Sequence, residues 1–373
     1  MRVMHVAADL GTYGAERFVA QLLERLSEPG LELAALTLAA ARPGDAPDRV
    51  TRFSAGRRGR FDATFAARMT AAMRTWRPDL VHTHTHAGKY WGRIAAIAAG
   101  VPAIVHTEHN SEFGAPAPFW WLNRLLLRRT DALVAVSEAQ RDRLVADEGA
   151  DRARITVIPN GIIVAEPDPA ARGWARAALG AAEDERILLH VGRLSAVKNQ
   201  ALAIEALALL PGRVRLVLAG AGRDRDALER RAADLGVALR TTFLGYRDDA
   251  AALVAGADVA LVTSRNEAMP LAVIEALLAG TPVVSTPWRG AAEMLGGGAY
   301  GVVAPDFTPA GFAASVRAVL DDPAGSAERA VGAASFARAE YDIDTAARRH
   351  LALYREVISR SRSASRAISA PRS

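Results

Sequence analysis

The chain has 373 residues, half of them hydrophobic and 23% charged, which suits a globular enzyme of two domains that each bury a core. It contains no cysteine, which excludes disulfides, thiolate metal sites and a cysteine nucleophile. The net charge of +5 is unevenly placed: 21 basic and 19 acidic residues give +2 over 1–170, 21 and 22 give −1 over 171–358, and four arginines give +4 over 359–373, so a broad basic face for nucleic acid is not supported.

In chain order, Met1 to Ala8 reads as a buried strand, without the length or apolar core of a signal peptide. The loop Gly11-Thr12-Tyr13-Gly14 opens a helical pattern over Ala15–Leu26. Apolar runs at 33–38, 79–83, 103–107, 132–136 and 155–158 read as further strands, each without the alternation of a half-exposed strand. His82-Thr83-His84-Thr85-His86 continues the third of these, placing its imidazoles on one face if extended. Alternating histidines can bind zinc, but no cysteine or acidic cluster completes a site, and no metal is expected. The stretch from Pro118 to Arg129 is apolar, aromatic and basic at helical spacing. It suits either a buried helix or contact with an anionic membrane.

Pro159-Asn160-Gly161 closes the last strand of this series, and Glu166-Pro167-Asp168-Pro169 is a linker by composition. A second series follows at 187–191, 214–219, 241–244, 258–262 and 282–285, with helical patterns such as Gln200–Leu210 between. The fold class is therefore α/β, with two doubly wound Rossmann-like domains and a ligand cleft at the carboxyl ends of their strands. The boundaries fall at 1–165 and 170–342, with a helix over 345–358. The arginine-serine segment 359–373 is predicted to be a disordered basic tail. No run of about 18 uncharged apolar residues is present to span a membrane, and the expected location is the cytoplasm.

Two segments carry chemistry. In Leu189-His190-Val191-Gly192-Arg193-Leu194-Ser195-Ala196-Val197-Lys198, a strand ends at a glycine, and Arg193 and Lys198 follow beside a helix start. Two cations there suit a diphosphate, although a solvated loop pair would look the same in sequence. Only two of the 46 basic residues are lysines, Lys89 and Lys198, which points to positions needing a compact ammonium. In the second segment Glu267 precedes a helix and Glu275 lies within it among Val, Ile, Ala and Leu. Buried there, Glu275 needs a hydrogen-bond partner such as a ribose hydroxyl; the alternative is a position on the wet face. Gly220-Ala221-Gly222 lacks the third glycine of a dinucleotide fingerprint.

Together with the first loop, His106-Thr107-Glu108-His109-Asn110, Val136-Ser137-Glu138, Ile158-Pro159-Asn160-Gly161, Thr242-Phe243-Leu244-Gly245 and Gly280-Thr281-Pro282-Val283-Val284-Ser285-Thr286, these segments resemble glycosyltransferase family 4 over nearly the whole chain. That resemblance implies a GT-B fold, with the helix 345–358 packing back on the first domain. It also implies a retaining, metal-independent transfer from a nucleotide-diphosphate sugar, UDP-linked rather than GDP-mannose, to a glycan, glycolipid or small-molecule acceptor in polysaccharide or glycoconjugate synthesis.

By the same resemblance Arg193 and Lys198 hold the diphosphate, Glu275 the ribose and Glu267 the sugar hydroxyls. Gly14 and the amides at Met269 and Leu271 line the donor pocket. His109 lies near the sugar, orienting it or stabilising positive charge at the anomeric carbon. Gly245 and Tyr246 border the base, and His84, His86 and Lys89 lie on the acceptor side. No cofactor is expected, because two fixed cations already face the leaving group. Peripheral contact with the inner face of the plasma membrane would bring the enzyme to a lipid-linked acceptor. The chain departs from the family at Ala268-Met269, where Gly-Phe is usual, which leaves the sugar open. A nucleotide-sugar epimerase of the same fold and a non-catalytic nucleotide-sugar-binding protein are the alternatives.

Overall fold

The computed structural model describes residues 1–10, 14–39, 47–56, 62, 64–85, 88–109, 117–164 and 170–369, the side chains of 117–120 and 364–369 excepted. The chain divides into two compact units, Met1–Ile163 with Tyr341–Ser373, and Val164–Glu340.

The first unit holds one parallel sheet. Its strands are β1 (Arg2–Ala7), β2 (Glu32–Thr37), β3 (Thr51–Ser54), β4 (Leu80–His84), β5 (Ala103–Glu108), β6 (Ala132–Ala135) and β7 (Ile155–Val157), in the order β3-β2-β1-β4-β5-β6-β7. Helices cover both faces, which is why these strands read as unbroken apolar runs. Within each strand the two faces still alternate. Val3, Leu80, Ala103 and Val105 join a core under helix Gly14–Arg25 and the C-terminal helix, whereas Met4, Val6, Val81 and Ile104 join the core under helix Phe65–Trp76. Thr51–Ser54, which the sequence reading missed, is a mostly exposed edge strand without an apolar signature.

The second unit repeats the plan with β8 (Arg186–Val191), β9 (Val214–Ala219), β10 (Thr241–Gly245), β11 (Val259–Val262), β12 (Val283–Ser285) and β13 (Val302–Val303), in the order β10-β9-β8-β11-β12-β13. β13 is a two-residue edge strand, too short to leave a pattern in sequence. Helix Pro309–Asp321 starts on a capping Thr308 with proline in its first turn, as helix starts favour.

After helix Pro323–Glu340 the chain returns to the first unit. Ile162 N–H donates to Tyr341 O at 2.9 Å, and Ile343 N–H donates to Ile162 O at 3.0 Å. Helix Ile343–Ser369 then packs on Gly14–Arg25 and β5, burying Ile343, Leu351, Tyr354 and Val357. The disordered tail expected over 359–373 is corrected for residues 359–369, through which the helix continues, while 370–373 lie outside the described residues. Arg360 pairs with Glu356 one turn back, Ser361 Oγ donates to Pro102 O at 2.7 Å and Arg362 reaches Asp79 at 3.1 Å. Those tertiary anchors offset the low apolar content on which the expectation rested.

Gly161 makes this crossing possible, because a Cβ there would stand 2.7 Å from Ile343 Cα and 2.8 Å from Ile343 N. Gly161→Ala is therefore expected to cost roughly 1–3 kcal/mol of stability. An unchanged urea midpoint would show that the crossing can shift to admit a methyl group.

Candidate functional site

In each sheet the chain builds outward on one side and then restarts on the other, so strand order reverses once. The reversal lies between β1 and β4 in the first unit and between β8 and β11 in the second. Open parallel sheets bind ligands at the carboxyl ends of the strands flanking such a point.

In the second unit the expected donor residues collect there. Arg193 and Lys198 lie on the loop leaving β8, and Glu267 on the loop leaving β11. Lys198 Nζ donates to Glu267 Oε1 at 2.5 Å, and Ser264 Oγ donates to the same oxygen at 2.6 Å. The β8 loop is held on several sides. Gln200 Nε2 donates to Arg193 O at 2.9 Å, Thr263 Oγ1 to Lys198 O at 2.8 Å, and Arg265 N–H to Val197 O at 2.9 Å. Helix Gln200–Ala208 starts directly after Lys198 and left-handed Asn199, so its positive end lies at the same loop.

Gly220 and Gly222 now have a packing role. A Cβ at Gly220 would meet Gly192 O at 1.9 Å and one at Gly222 would meet Leu194 O at 2.1 Å, so both let the β9 loop lie against the β8 loop. Glu275 is 8% exposed on helix Leu271–Leu278, among buried Val273, Ile274, Ala276 and Leu277, which removes the wet-face alternative. Leu271 opens that helix and Met269 precedes it, half-buried. Gly245 ends β10 with φ of 71°, and Tyr246 beside it is exposed, two strands from β8.

Sequence reasoning missed His190. It is buried near the end of β8, and neither ring nitrogen has a hydrogen-bond partner among the described residues. Burial, aided by the Lys198 charge, lowers its pKa to about 4. Its signal was present, as a polar residue inside an apolar strand two positions before Gly192.

In the first unit the alternation of faces sorts two clusters. His5 on β1, His82 and His84 on β4, and Thr107 and His109 at the end of β5 share the face that meets the C-terminal helix, which contributes His350 and Tyr354. All are buried. Burial first, then neighbouring imidazoles, lowers the pKa of His5 to about 3 and those of His82 and His84 well below 6.5. Burial lowers His109 to about 3, with Glu108 and Asn160 acting the other way, and His350 to about 4. The imidazoles are therefore neutral at physiological pH.

His5, His82 and His84 have ring nitrogens within 4.8 Å of one another, the spacing of a candidate metal group. Both nitrogens of His82 are bonded elsewhere, to Tyr354 OH at 2.6 Å and Thr107 Oγ1 at 2.7 Å, while His5 and His84 bond each other at 3.0 Å. The cluster is thus arranged as a hydrogen-bonded chain rather than as lone pairs converging on one point.

The opposite face of β5 carries Glu108. Lys89, expected on the acceptor side, is buried, with Nζ 2.7 Å from Glu108 Oε2 and 2.6 Å from Glu148 Oε1. Burial opposes its charge, but the two carboxylates outweigh burial and raise its pKa. Glu108 is held well below the carboxylate range, burial being overcome by Lys89 and His106. A compact ammonium fits between two buried carboxylates, which accounts for lysine at this position. His86 and residues 11–13 of the first-loop motif lie outside the described residues; Gly14 begins helix Gly14–Arg25 and is exposed.

Residues 173–336 match the family model described as glycosyl transferases group 1, and residues 12–166 match the model described as glycosyltransferase family 4. A glycogen synthase of Mycobacterium tuberculosis is 36% identical over 290 residues, covering 74% of this chain and 68% of that protein. A D-inositol 3-phosphate glycosyltransferase of Kineococcus radiotolerans is 33% identical over 296 residues, covering 70% and 67%. Among solved structures, Anabaena HepE in complex with UDP superposes with a TM-score of 0.82 at 22% identity, covering 95% of this chain and all of that one. Sucrose-phosphate synthase from Thermosynechococcus elongatus gives 0.81 at 21% identity, covering 96% and 99%. These two likenesses bear on the fold, which is GT-B.

The neutral histidines set a pH dependence. Their folded pKa values lie below 6.5, so between that value and about 3 to 4 the unfolded chain holds more protons and acid favours unfolding. Stability is expected to fall from pH 7 to pH 5, by up to about 1.4 kcal/mol per pH unit for each histidine fully protonated on unfolding. Glu108 adds to the loss only below the carboxylate range. Urea midpoints that stay level from pH 7 to pH 5 would contradict the buried neutral cluster.

Proposed function

The chain belongs to glycosyltransferase family 4 and is a glycosyltransferase, and we propose that it is a retaining, metal-independent enzyme using a UDP-sugar. The observation that carries this reading is the set of four side chains around the reversal point of the second sheet: Arg193 and Lys198 after β8, Glu267 after β11 and Glu275 on the helix that follows. Breaking the sugar–phosphate bond builds negative charge on the leaving diphosphate and positive charge on the sugar. Arg193 and Lys198 neutralise the first, and the second is met by Glu267 and a neutral His109. With two cations provided by the chain, no step requires a divalent ion. Glu275, buried among aliphatic side chains, accepts hydrogen bonds from the ribose hydroxyls. Gly245 and Tyr246 border the base, and the acceptor is a glycan, a glycolipid or a small molecule met on the His84 side of the first unit. The first unit, Met1–Ile163 with Tyr341–Ser373, then serves the acceptor and the second, Val164–Glu340, the donor.

Contact with a membrane surface is favoured by helix Ala117–Arg128. Trp121 is 61% and Leu125 51% exposed, and Arg124 and Arg128 are exposed on the same face. Apolar and cationic groups so placed suit an anionic lipid surface. Sedimentation with phosphatidylglycerol vesicles is expected, with its loss in Trp121→Ala/Arg124→Glu. Equal sedimentation of the variant would remove the reading.

For the donor, calorimetry with UDP-glucose and GDP-mannose in EDTA is expected to give binding to the UDP-sugar. Lys198→Ala and Glu275→Ala should each weaken it on the order of tenfold to a hundredfold, one to two charge-assisted hydrogen bonds. Unchanged affinity in both variants would overturn the clamp. The anomeric configuration of the first product, read by proton NMR, tests retention; an epimerised donor in the absence of acceptor would identify an epimerase instead.

A further inference from the structure

One hydrogen-bonded chain threads the first unit. Thr107 Oγ1 lies 2.7 Å from His82 Nε2, and His82 Nδ1 lies 2.6 Å from Tyr354 OH. Tyr354 OH lies 3.4 Å from His5 Nε2, His5 Nδ1 lies 3.0 Å from His84 Nε2, and His84 Nδ1 lies 3.1 Å from His109 Nε2. The six groups come from β5, β4, the C-terminal helix, β1, β4 again and the residue after β5. His109 Nδ1, the far end, makes no hydrogen bond of normal geometry among the described residues, with the Asn160 side chain near enough to raise the pKa of the ring.

A neutral imidazole has one N–H and one lone-pair nitrogen, so placing one proton fixes the next ring in turn. Three placements put a proton in every link, because the Tyr354 oxygen can also accept from both His82 and His5. That third placement leaves the Tyr354 hydroxyl proton unmet and Nδ1 of His109 bare. In the first, Thr107 donates to His82, His82 to Tyr354, Tyr354 to His5, His5 to His84 and His84 to His109, which leaves His109 with its proton on Nδ1. In the second every bond is reversed, Nδ1 of His109 is bare, and the Thr107 hydroxyl needs another acceptor. Thr107 Oγ1 has no other hydrogen bond among the described residues, and it is buried. An unmet buried hydroxyl proton, on Thr107 in the second placement and on Tyr354 in the third, disfavours both. The first places an N–H donor at the end of the chain.

We infer that Tyr354 and Thr107 are positioning residues that fix the tautomer of His109, so that the ring presents Nδ1–H as a donor. This rests on the reading of His109 as the residue beside the transferred sugar, where an N–H can hold a sugar or phosphate oxygen. Tyr354 is the joint of the chain. Without its hydroxyl, His5, His84 and His109 are cut from the end that sets their direction, and both orientations of the three-ring segment become self-consistent. Phenylalanine keeps the ring that packs edge-on to His5 and His82.

The test uses the full chain labelled with ¹⁵N-histidine, with His109 assigned by the signal missing in His109→Gln. Ring ¹⁵N shifts distinguish the two tautomers. The wild type and Thr107→Ser, which keeps the hydroxyl, are expected to show His109 with the proton on Nδ1. Tyr354→Phe and Thr107→Val are expected to show a mixture, with kcat reduced by the same fraction, about twofold for equal populations, and KM for the donor unchanged. Thr107→Val serves if Tyr354→Phe does not fold. A wild-type His109 protonated on Nε2, or a His109 signature unchanged in both variants, would overturn the inference. A shifted tautomer with unchanged kcat would overturn its link to catalysis. The NMR readout stands even where no donor is turned over, so failure of the transferase reading is seen separately.

Discussion

A parallel sheet with right-handed crossovers must send its helices to opposite faces on either side of the point where strand order reverses. There the loops leaving the two central strands diverge, and their carboxyl ends are left uncovered by crossing chain. Each unit has one such point. In the second it determines which side chains can converge: residues leaving β8 meet residues leaving β11, although some 70 positions separate Lys198 from Glu267. The backbone adapts to the same constraint. The β9 loop lies so close to the β8 loop that a methyl group at Gly220 or Gly222 would overlap the carbonyl oxygens of Gly192 or Leu194. Cations, carboxylates and glycines at this end follow from one topological fact.

The first unit uses the alternation of a strand to keep two kinds of polar chemistry apart. On one face of β4 and β5, neutral histidines satisfy one another through shared protons. On the other, Lys89 lies between Glu108 and Glu148. Neither cluster is a gain in stability by itself, since burial of unpaired polar groups and charges is costly and good pairing only offsets the cost. What both supply is a defined arrangement, because such networks tolerate few alternatives. The C-terminal helix takes part directly: Tyr354 closes the histidine chain from a position more than 200 residues from any other member.

Most of the architecture was legible because apolar parallel strands and their spacing survive in one sequence. The two strands that were not, Thr51–Ser54 and Val302–Val303, lie at sheet edges, where short length and exposure remove the apolar run. The helical extension to Ser369 was hidden for a related reason: its anchors at Pro102 and Asp79 are tertiary, and composition does not record them. Around the loops leaving β8 and β11 the residue types were readable from local sequence, but the pairing of Lys198 with Glu267 required the fold. The scarcity of lysine proved informative at both positions, since each ammonium meets a carboxylate. The histidine chain was legible only in part. His82 and His84 announce a shared face, whereas their link to His5 and Tyr354 joins segments that no local pattern connects.

Locating UDP bound to the full chain by crystallography tests the donor site most directly. The expected result is a diphosphate within ion-pair distance of Arg193 and Lys198, with the ribose hydroxyls on Glu275. A diphosphate bound away from the loop that leaves β8, or a ribose that does not reach Glu275, would contradict it.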